Sequence, residues 1–378
     1  MDLKNKRDSS ETETTEVCFV LPTYNEEKNI QQTLEGIFSN QILVPSCRFR
    51  VLVVDDNSSD GTQEKVNQLI AKYPNLHLIT GDKKGLGDAY KRGFLYALSS
   101  FKPDLVFQMD SDGQHDPKLI PAFIEQINAG YSLVVGSRFV EGGSTPDFSF
   151  SRKFISRLGN LLVRYAGGVR HIRDCTSGYR CISSSYLERC NLGFLSTRGY
   201  SFQSSLICEL VMQGAKCKEI PITFSRRNSG SSKLSLRDQI EFVLNIPRLG
   251  FHSHKDFIKY STVGFSGLFV NLGSYIFLTR YLGMAEVVAP LISIEISVFS
   301  SFLFHNFWTF KKRNLERAFI SRLMKFHLVV GFGGIFNYIT FFLMFKIIMV
   351  NDILAILLGI GVAAIINYLI NSNWTWKK

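Results

Sequence analysis

Four long apolar stretches in the C-terminal third constrain this chain more than any other feature. Residues 260–279 and 353–376 carry no charged side chain, 287–310 is interrupted by Glu295 and His305, and 326–345 forms a further run. At 1.5 Å rise per residue about 20 residues cross a hydrocarbon core, so each stretch predicts one transmembrane helix. VGFSGLF at Val263 recurs as VGFGGIF at Val330, and FWTFKK at Phe307 recurs as NWTWKK at Asn373, which marks a duplicated helix hairpin. An even number of spans per repeat puts both WT(F/W)KK ends on one side. Lys255, Lys259, Lys311, Lys312, Arg313, Arg317, Arg322, Lys325, Lys377 and Lys378 flank that side, against Arg280 and Lys346 on the other. The positive excess places the basic side, and residues 1–255 with it, in the cytoplasm. Asn271, Asn306, Asn337, Asn367 and Asn371 are read as hydrogen-bonding groups between helices. Glu295 is costlier in lipid and is assigned no role.

Residues 1–16 are polar without an apolar run, which predicts a disordered tail rather than a signal peptide or anchor. Seven cysteines without a CxxC pair give neither a disulfide framework nor zinc spacing, and Cys175 and Cys181 are expected as small buried residues. The net charge of +11 gathers beside the apolar segments, not among base-stacking aromatics. That excludes nucleic acid and favours a membrane surface and phosphate ligands.

Between the tail and the apolar segments, short runs alternate with stretches of helical character at 27–38 and 61–72. The runs are VCFVL at Val17, VLVV at Val51, LHLI at Leu76, LVFQM at Leu105 and SLVV at Ser132. This pattern predicts a parallel α/β sheet, whose ligands sit at the carboxyl ends of the strands. Unusual residues fall there. LPTYNEE ends the first strand and VVDDNSSDGT the second, so Glu26 and Asp56 can accept hydrogen bonds from a nucleoside and the Tyr24 ring can pack on it. GDKKGLGDAYKRG brings Lys84 to a helix N-terminus suited to a diphosphate. QMDSDGQHDP places Asp110 and Asp112 one residue apart, where Gln114 adds an oxygen for a hard divalent cation. His115 is read as a structural or exposed turn residue rather than a base. Residues 235–251, SLRDQIEFVLNIPRLGF, read as an amphipathic interfacial helix broken at Pro247.

LPTYNEE, VVDDNSSDGT, GLGDAYKRG, DSDGQ, GSRFVEGG, DCTSGYR and FSRRNSGSSKL, in this order, resemble the inverting family 2 glycosyltransferases of the polyprenyl-phosphate mannose synthase type. The four-helix part resembles a small membrane family associated with lipid-linked sugar translocation. The resemblance implies a GT-A nucleotide-diphospho-sugar transferase domain at 17–234, interfacial helices at 235–255 and a four-helix transmembrane domain at 256–378. It further implies a Mg²⁺ or Mn²⁺ ion, a GDP-mannose donor and a polyprenyl (dolichyl) phosphate acceptor. Carried over residue by residue, Pro22, Tyr24, Glu26 and Asp56 contact the nucleoside, with Val54, Lys84 and Ser111 in the same pocket. Asp110, Asp112 and Gln114 hold the metal. Arg138, Arg152, Ser156 and Arg227 meet the sugar or the acceptor phosphate, and Lys233 lies near the diphosphate. Arg226 beside Arg227 is the one oddity, and spacing to Gly230 favours Arg227.

Glucose from UDP is the second donor considered. A processive synthase is disfavoured because Trp308, Trp374 and Trp376 all lie in the apolar part, leaving no QxxRW motif. A transport protein that only binds nucleotide sugar is disfavoured by the retained Asp110, Asp112 and arginines.

Overall fold

The structure is a computed structural model that describes residues 14–192, 195, 199, 201–225, 236–285, 287–311 and 318–376. The chain forms two compact units, residues 1–253 and 254–378.

The first unit is built on a seven-stranded sheet in the order β3-β2-β1-β4-β6-β5-β7. Its strands are β1 Thr15–Thr23, β2 Cys47–Asp55, β3 Leu76–Thr80, β4 Leu105–Gln108, β5 Leu133–Ser137, β6 Arg180–Ser183 and β7 Cys217–Pro221. The five predicted runs are all strands, and β1 begins two residues inside the stretch read as tail. The sheet is mixed, however. β6 runs antiparallel to both β4 and β5, while the remaining pairs are parallel. RCIS and CKEIP carry too few apolar residues to register as runs, which is why β6 and β7 are invisible to periodicity.

Alternation sorts β1 between the two faces, as a two-residue period requires. Val17, Phe19 and Leu21 pack in one buried cluster, Cys18 and Val20 in the other. The helices of this unit are α1 Ile30–Ser39, α2 Thr62–Ile70, α3 Leu86–Tyr96, α4 Ile120–Asn128, α5 Phe150–Ala166, α6 Ser184–Arg189, α7 Ser201–Met212 and α8 Leu236–Ser253. α8 continues through Pro247, contrary to the expected break. Proline removes one backbone donor and crowds the preceding turn, but tertiary ties hold both halves on one axis. Glu241 accepts from Ser201 Oγ at 2.9 Å, Asn245 donates to Ser205 Oγ at 2.8 Å, and Ser253 Oγ donates to the Gly167 carbonyl at 2.9 Å.

The second unit contains α9 Lys255–Ile276, α10 Ala289–Phe304, α11 Phe319–Phe342 and α12 Asp352–Ile370, each extended by a π turn. All four are long and apolar enough to cross a membrane. The duplication appears as one contact made twice, in residues 66 apart. Lys259 lies over the Trp308 ring at 5.3 Å, and Lys325 over Trp374 at 5.0 Å. Tyr260 and Phe326, and likewise Phe310 and Trp376, share one aromatic cluster. Two of the five asparagines act as predicted: Asn371 donates to Tyr260 Oη at 3.0 Å, and Asn306 accepts from Trp376 Nε1 at 3.4 Å. Asn367 abuts Gly333 so closely that a Cβ there would lie 2.1 Å from its amide oxygen, so the glycine sets the helix spacing. Glu295 pairs with His327 at 2.8 Å.

Candidate active site

The carboxyl ends of β1 and β2 are stitched together before any ligand is considered. Asn25 and Asn57 adopt the left-handed conformation, at φ 54° and 52°, that short amide side chains tolerate in turns. The Asn25 backbone N–H donates to Ser58 Oγ at 2.9 Å, and Glu26 N–H donates to Thr62 Oγ1 at 2.9 Å. Asp55 and Asp56, adjacent in sequence, have separate tasks. Asp55 is fully buried and accepts from Thr23 Oγ1, Ser58 N, Ser58 Oγ and Gln63 Nε2 at 2.6–2.8 Å, so it holds the turn together. Asp56 faces α3, where Arg92 Nη2 donates to it at 2.5 Å. Burial pushes the Asp56 carboxyl up, against the opposing pull of Arg92.

The other residues read as nucleoside contacts fall around this turn. Glu26 is buried and accepts from Asn29 Nδ2 at 2.8 Å. The Tyr24 ring carries Lys83 Nζ 3.4 Å above its centroid. The Pro22 carbonyl accepts from Ser111 Oγ at 2.8 Å, tying β1 to the loop after β4. Val54 departs from expectation: its side chain is sealed in the core against α3, so only its backbone can meet a nucleotide. Lys84 is half exposed at the N-terminus of α3, 3.9 Å from Asp82.

Beyond β4, Asp110 and Asp112 occupy a turn that Gly113 closes with φ 77°. Tyr90 Oη donates to Asp110 Oδ1 at 2.8 Å, and the Asp110 amide donates to His115 Nδ1 at 3.0 Å. Burial, and then the charge of Asp110, push the Tyr90 phenol far above its usual range, so it stays a donor. Asp112 is buried and accepts from Gln114 N–H at 3.1 Å. The Gln114 amide nitrogen donates to the Ser225 carbonyl at 2.6 Å, which turns the amide oxygen the opposite way.

On the β5 side, Arg138 is gripped in a fork by Asp174, with Nε–Oδ2 and Nη2–Oδ1 both at 2.7 Å. Burial raises the Asp174 carboxyl, but Arg138 and backbone N–H groups together hold it below the usual carboxylate range. Thr176 Oγ1 accepts from Arg138 at 2.7 Å and from Asn160 at 3.2 Å, joining Arg138 to α5. Arg152, Ser156 and Asn160 recur every fourth residue of α5 and so share one face. An aromatic ladder extends the link. Arg138 sits 5.4 Å from the Phe224 centroid, Phe224 meets Phe148 edge-on at 6.0 Å, and Arg152 lies 3.9 Å above Phe148. Arg227 and Lys233 lie outside the described residues.

The sequence of residues 18–190 matches the profile described as glycosyl transferase family 2, and residues 259–376 match the GtrA/DPMS transmembrane domain. A dolichol-phosphate mannosyltransferase of Pyrococcus furiosus is 32% identical over 366 residues, which cover 95% of this chain and 99% of that protein. This chain belongs to glycosyl transferase family 2. An undecaprenyl-phosphate mannosyltransferase of Micrococcus luteus is 36% identical over 62% of the chain and 93% of its own length. A polyprenol monophosphomannose synthase of Mycolicibacterium smegmatis is 32% identical over 64% of the chain and 90% of its own length. All three are named for transfer of mannose. The chain is an integral membrane protein with an N-terminal GT-A catalytic domain and four apolar helices.

The family 2 site fits a hard cation. Two carboxylates and an amide oxygen at one strand end form an all-oxygen donor set. Among the described residues, no group of three or more His, Cys, Asp or Glu side chains is gathered to hold a metal ion, so the donor set at this turn is two carboxylates and one amide. Sequence reasoning missed Tyr90, Arg92, Asp174 and the Phe148–Phe224 ladder. GLGDAYKRG and DCTSGYR contain the first three, but nothing in those strings says which distant residue each will touch.

Proposed function

We propose that this enzyme transfers mannose from GDP-mannose to the phosphate of a polyprenyl (dolichyl-type) phosphate at the cytoplasmic membrane face, giving a β-linked product. The observation that carries this reading is the ladder that links Arg138, directly after β5, to Arg152 at the start of α5. Guanidinium groups grip a phosphate in a fork; with Nε and Nη2 of Arg138 engaged by Asp174, that fork falls to Arg152, and Arg138 adds its charge beside it. The same helix leaves Phe150, Phe154, Ile155, Leu158 and Leu162 exposed, and interleaves them with Lys153 and Arg157. A basic helix with exposed apolar side chains suits the headgroup zone, where a lipid phosphate lies. α8 behaves alike, with Ile240, Val243 and Leu244 exposed.

In this reading Asp56, fixed by Arg92, accepts from the nucleobase edge, and the Tyr24 face receives the base. Asp110, Asp112 and Gln114 hold a Mg²⁺ or Mn²⁺ ion. When bound, such an ion acts as a Lewis acid that stabilises the departing diphosphate. Arg138 and Arg152 hold the acceptor phosphate, with Ser156 one turn along α5. A phosphate monoester has a second pKa of about 6 and is largely dianionic near neutral pH, so the chain needs no strong general base. A phosphate oxygen bonds to the anomeric carbon as the bond to the nucleoside diphosphate breaks. In-line attack on an α-linked donor inverts it.

The test is incubation of the purified full chain with polyprenyl phosphate and either GDP-[¹⁴C]mannose or UDP-[¹⁴C]glucose. Label should enter the organic-extractable lipid from the mannose donor, with β configuration. Label from the glucose donor alone, or an α-linked product, refutes the reading.

A further inference from the structure

Asp110 is fixed twice, once at its carboxylate and once at its backbone, by residues outside the acidic turn. Its Oδ1 accepts the Tyr90 hydroxyl at 2.8 Å. That ring is fully buried and stacked between Phe94 and Phe202, at 5.7 and 6.0 Å, so its hydroxyl cannot follow a moving carboxylate. The other oxygen, Oδ2, is bounded by Gly178, where a Cβ would stand 3.3 Å away. At the backbone, His115 Nδ1 accepts the Asp110 N–H at 3.0 Å, which puts the ring proton of neutral His115 on Nε2. The imidazole is buried and stacks on Tyr179 at 4.9 Å and 13°, while Tyr179 Oη donates to the Asp116 carbonyl at 3.0 Å. The ring that receives the amide is therefore itself held, stacked on Tyr179 and 6.0 Å from the tilted Phe224 ring.

We infer that Tyr90 and His115 are positioning residues that present Asp110 to the divalent cation through a single oxygen, Oδ2. The inference rests on the reading of Asp110 and Asp112 as cation ligands. Because Oδ1 accepts from the fixed Tyr90 hydroxyl, rotating the Asp110 carboxylate costs that hydrogen bond, so Oδ2 is the oxygen held ready before any cation arrives. Groups that orient metal ligands typically govern affinity by about 10–100-fold. Neither residue belongs to the DSD string, and His115 acts here as a hydrogen-bond acceptor rather than as a base.

The experiment is a Mn²⁺ titration followed by electron paramagnetic resonance, on the full-length protein in detergent with saturating GDP. Tyr90→Phe keeps the ring and removes one oxygen; it should raise the Mn²⁺ Kd by about 10–100-fold while the thermal unfolding midpoint stays near wild type. His115→Leu should weaken Mn²⁺ similarly, and His115→Asn, whose amide oxygen can replace Nδ1 as acceptor, should recover most of the affinity. In an Asp110→Asn background Tyr90→Phe should add less than about twofold, because residues acting through one group are not additive. Wild-type affinity in Tyr90→Phe, or a full extra loss in the Asp110→Asn background, overturns the positioning role while leaving the cation site intact. If the wild-type protein itself binds no Mn²⁺, the ligand assignment falls and the positioning role falls with it.

Discussion

The catalytic unit and the membrane unit bury polar groups by opposite means. In the first, most buried charge is matched, Asp174 with Arg138 at 2.7 Å and Asp56 with Arg92 at 2.5 Å, and Arg180, fully buried and donating to the Cys175 carbonyl at 3.1 Å, is the exception. In the second, the buried polar side chains are mostly neutral amides, hydroxyls and rings, such as Asn306, Asn371, Thr309, Thr375 and His305. Arg322, the one buried cation among the described residues of that unit, sits in the first turn of α11. Burying a charge is expensive unless it is paired and hydrogen-bonded. The difference therefore locates the chemistry: charge is retained where a diphosphate and a phosphate are to be handled, and avoided where the chain needs only to hold four helices together.

The sharpest way to break the comparison is to neutralise a catalytic charge without disturbing its packing. Asp112→Asn keeps the oxygen that accepts from Gln114 N–H at 3.1 Å, so the turn should survive. Losing a cation ligand removes several kcal/mol of leaving-group stabilisation, or at least about 10³-fold in kcat at 1.4 kcal/mol per decade. Normal transfer by this variant in saturating Mn²⁺ would falsify the metal assignment.

Unpairing a buried charge should come next. Asp174→Asn strands the Arg138 guanidinium in a site where only 10% of its side chain reaches solvent. The destabilisation should be about 3–5 kcal/mol, as for other broken buried pairs. The pH dependence carries a definite sign. Because the folded Asp174 carboxyl lies below its ordinary value, its contribution is fully present above about pH 4 and is lost as pH falls through the folded value. Urea unfolding of the catalytic unit between pH 3 and 7, followed by far-ultraviolet circular dichroism, should show a drop at acid pH that Asp174→Asn flattens.

A smaller effect is expected at the acceptor side. Arg152 lies over Phe148 and is exposed on its face of α5. Arg152→Ala should raise the KM for polyprenyl phosphate by about 10–100-fold, the worth of one hydrogen bond to a charged group. The KM for the sugar nucleotide should move much less. Equal changes in both would remove Arg152 from the acceptor site.

How much of this was legible in the sequence depends on how far apart the interacting residues lie. The five apolar runs, the duplicated hairpin and the DSD turn are local patterns, and each sits where periodicity and spacing placed it. The partners that give those patterns their chemistry are not local. Asp110 meets Tyr90 from α3, and Arg138 meets Asp174 from the loop before β6, contacts that only the sheet topology creates. β6 itself was unreadable, because Arg180 stands fully buried at a strand position where sequence logic expects an apolar residue. His115 was read as structural or exposed, and the Tyr179 ring laid against it decides for structural, a choice that no local pattern could make. Pro247 fails in the opposite direction, since a strong local breaker was overridden by the ties that hold α8.

The smallest effect belongs to the membrane unit. Asn371 is fully buried, donates to Tyr260 Oη at 3.0 Å and accepts from Thr375 Oγ1 at 2.7 Å. In a soluble core its loss would leave two polar groups stranded. Within a bilayer the unfolded reference also finds partners, so interhelical hydrogen bonds there average only about 0.6 kcal/mol and reach about 1.7. Asn371→Leu should therefore destabilise the unit by about 1 kcal/mol, far less than Asp174→Asn does in the catalytic unit. The measurement is clean, because Trp308, Trp374 and Trp376 are the only tryptophans of the chain and all lie in this unit. Their fluorescence reports membrane-unit unfolding alone, and Trp376 shares the aromatic cluster with Tyr260. A loss above about 3 kcal/mol, the range of a broken buried charge pair, would mean that neutral and charged polar groups are held equally hard in the two units, and the contrast drawn between them would fail.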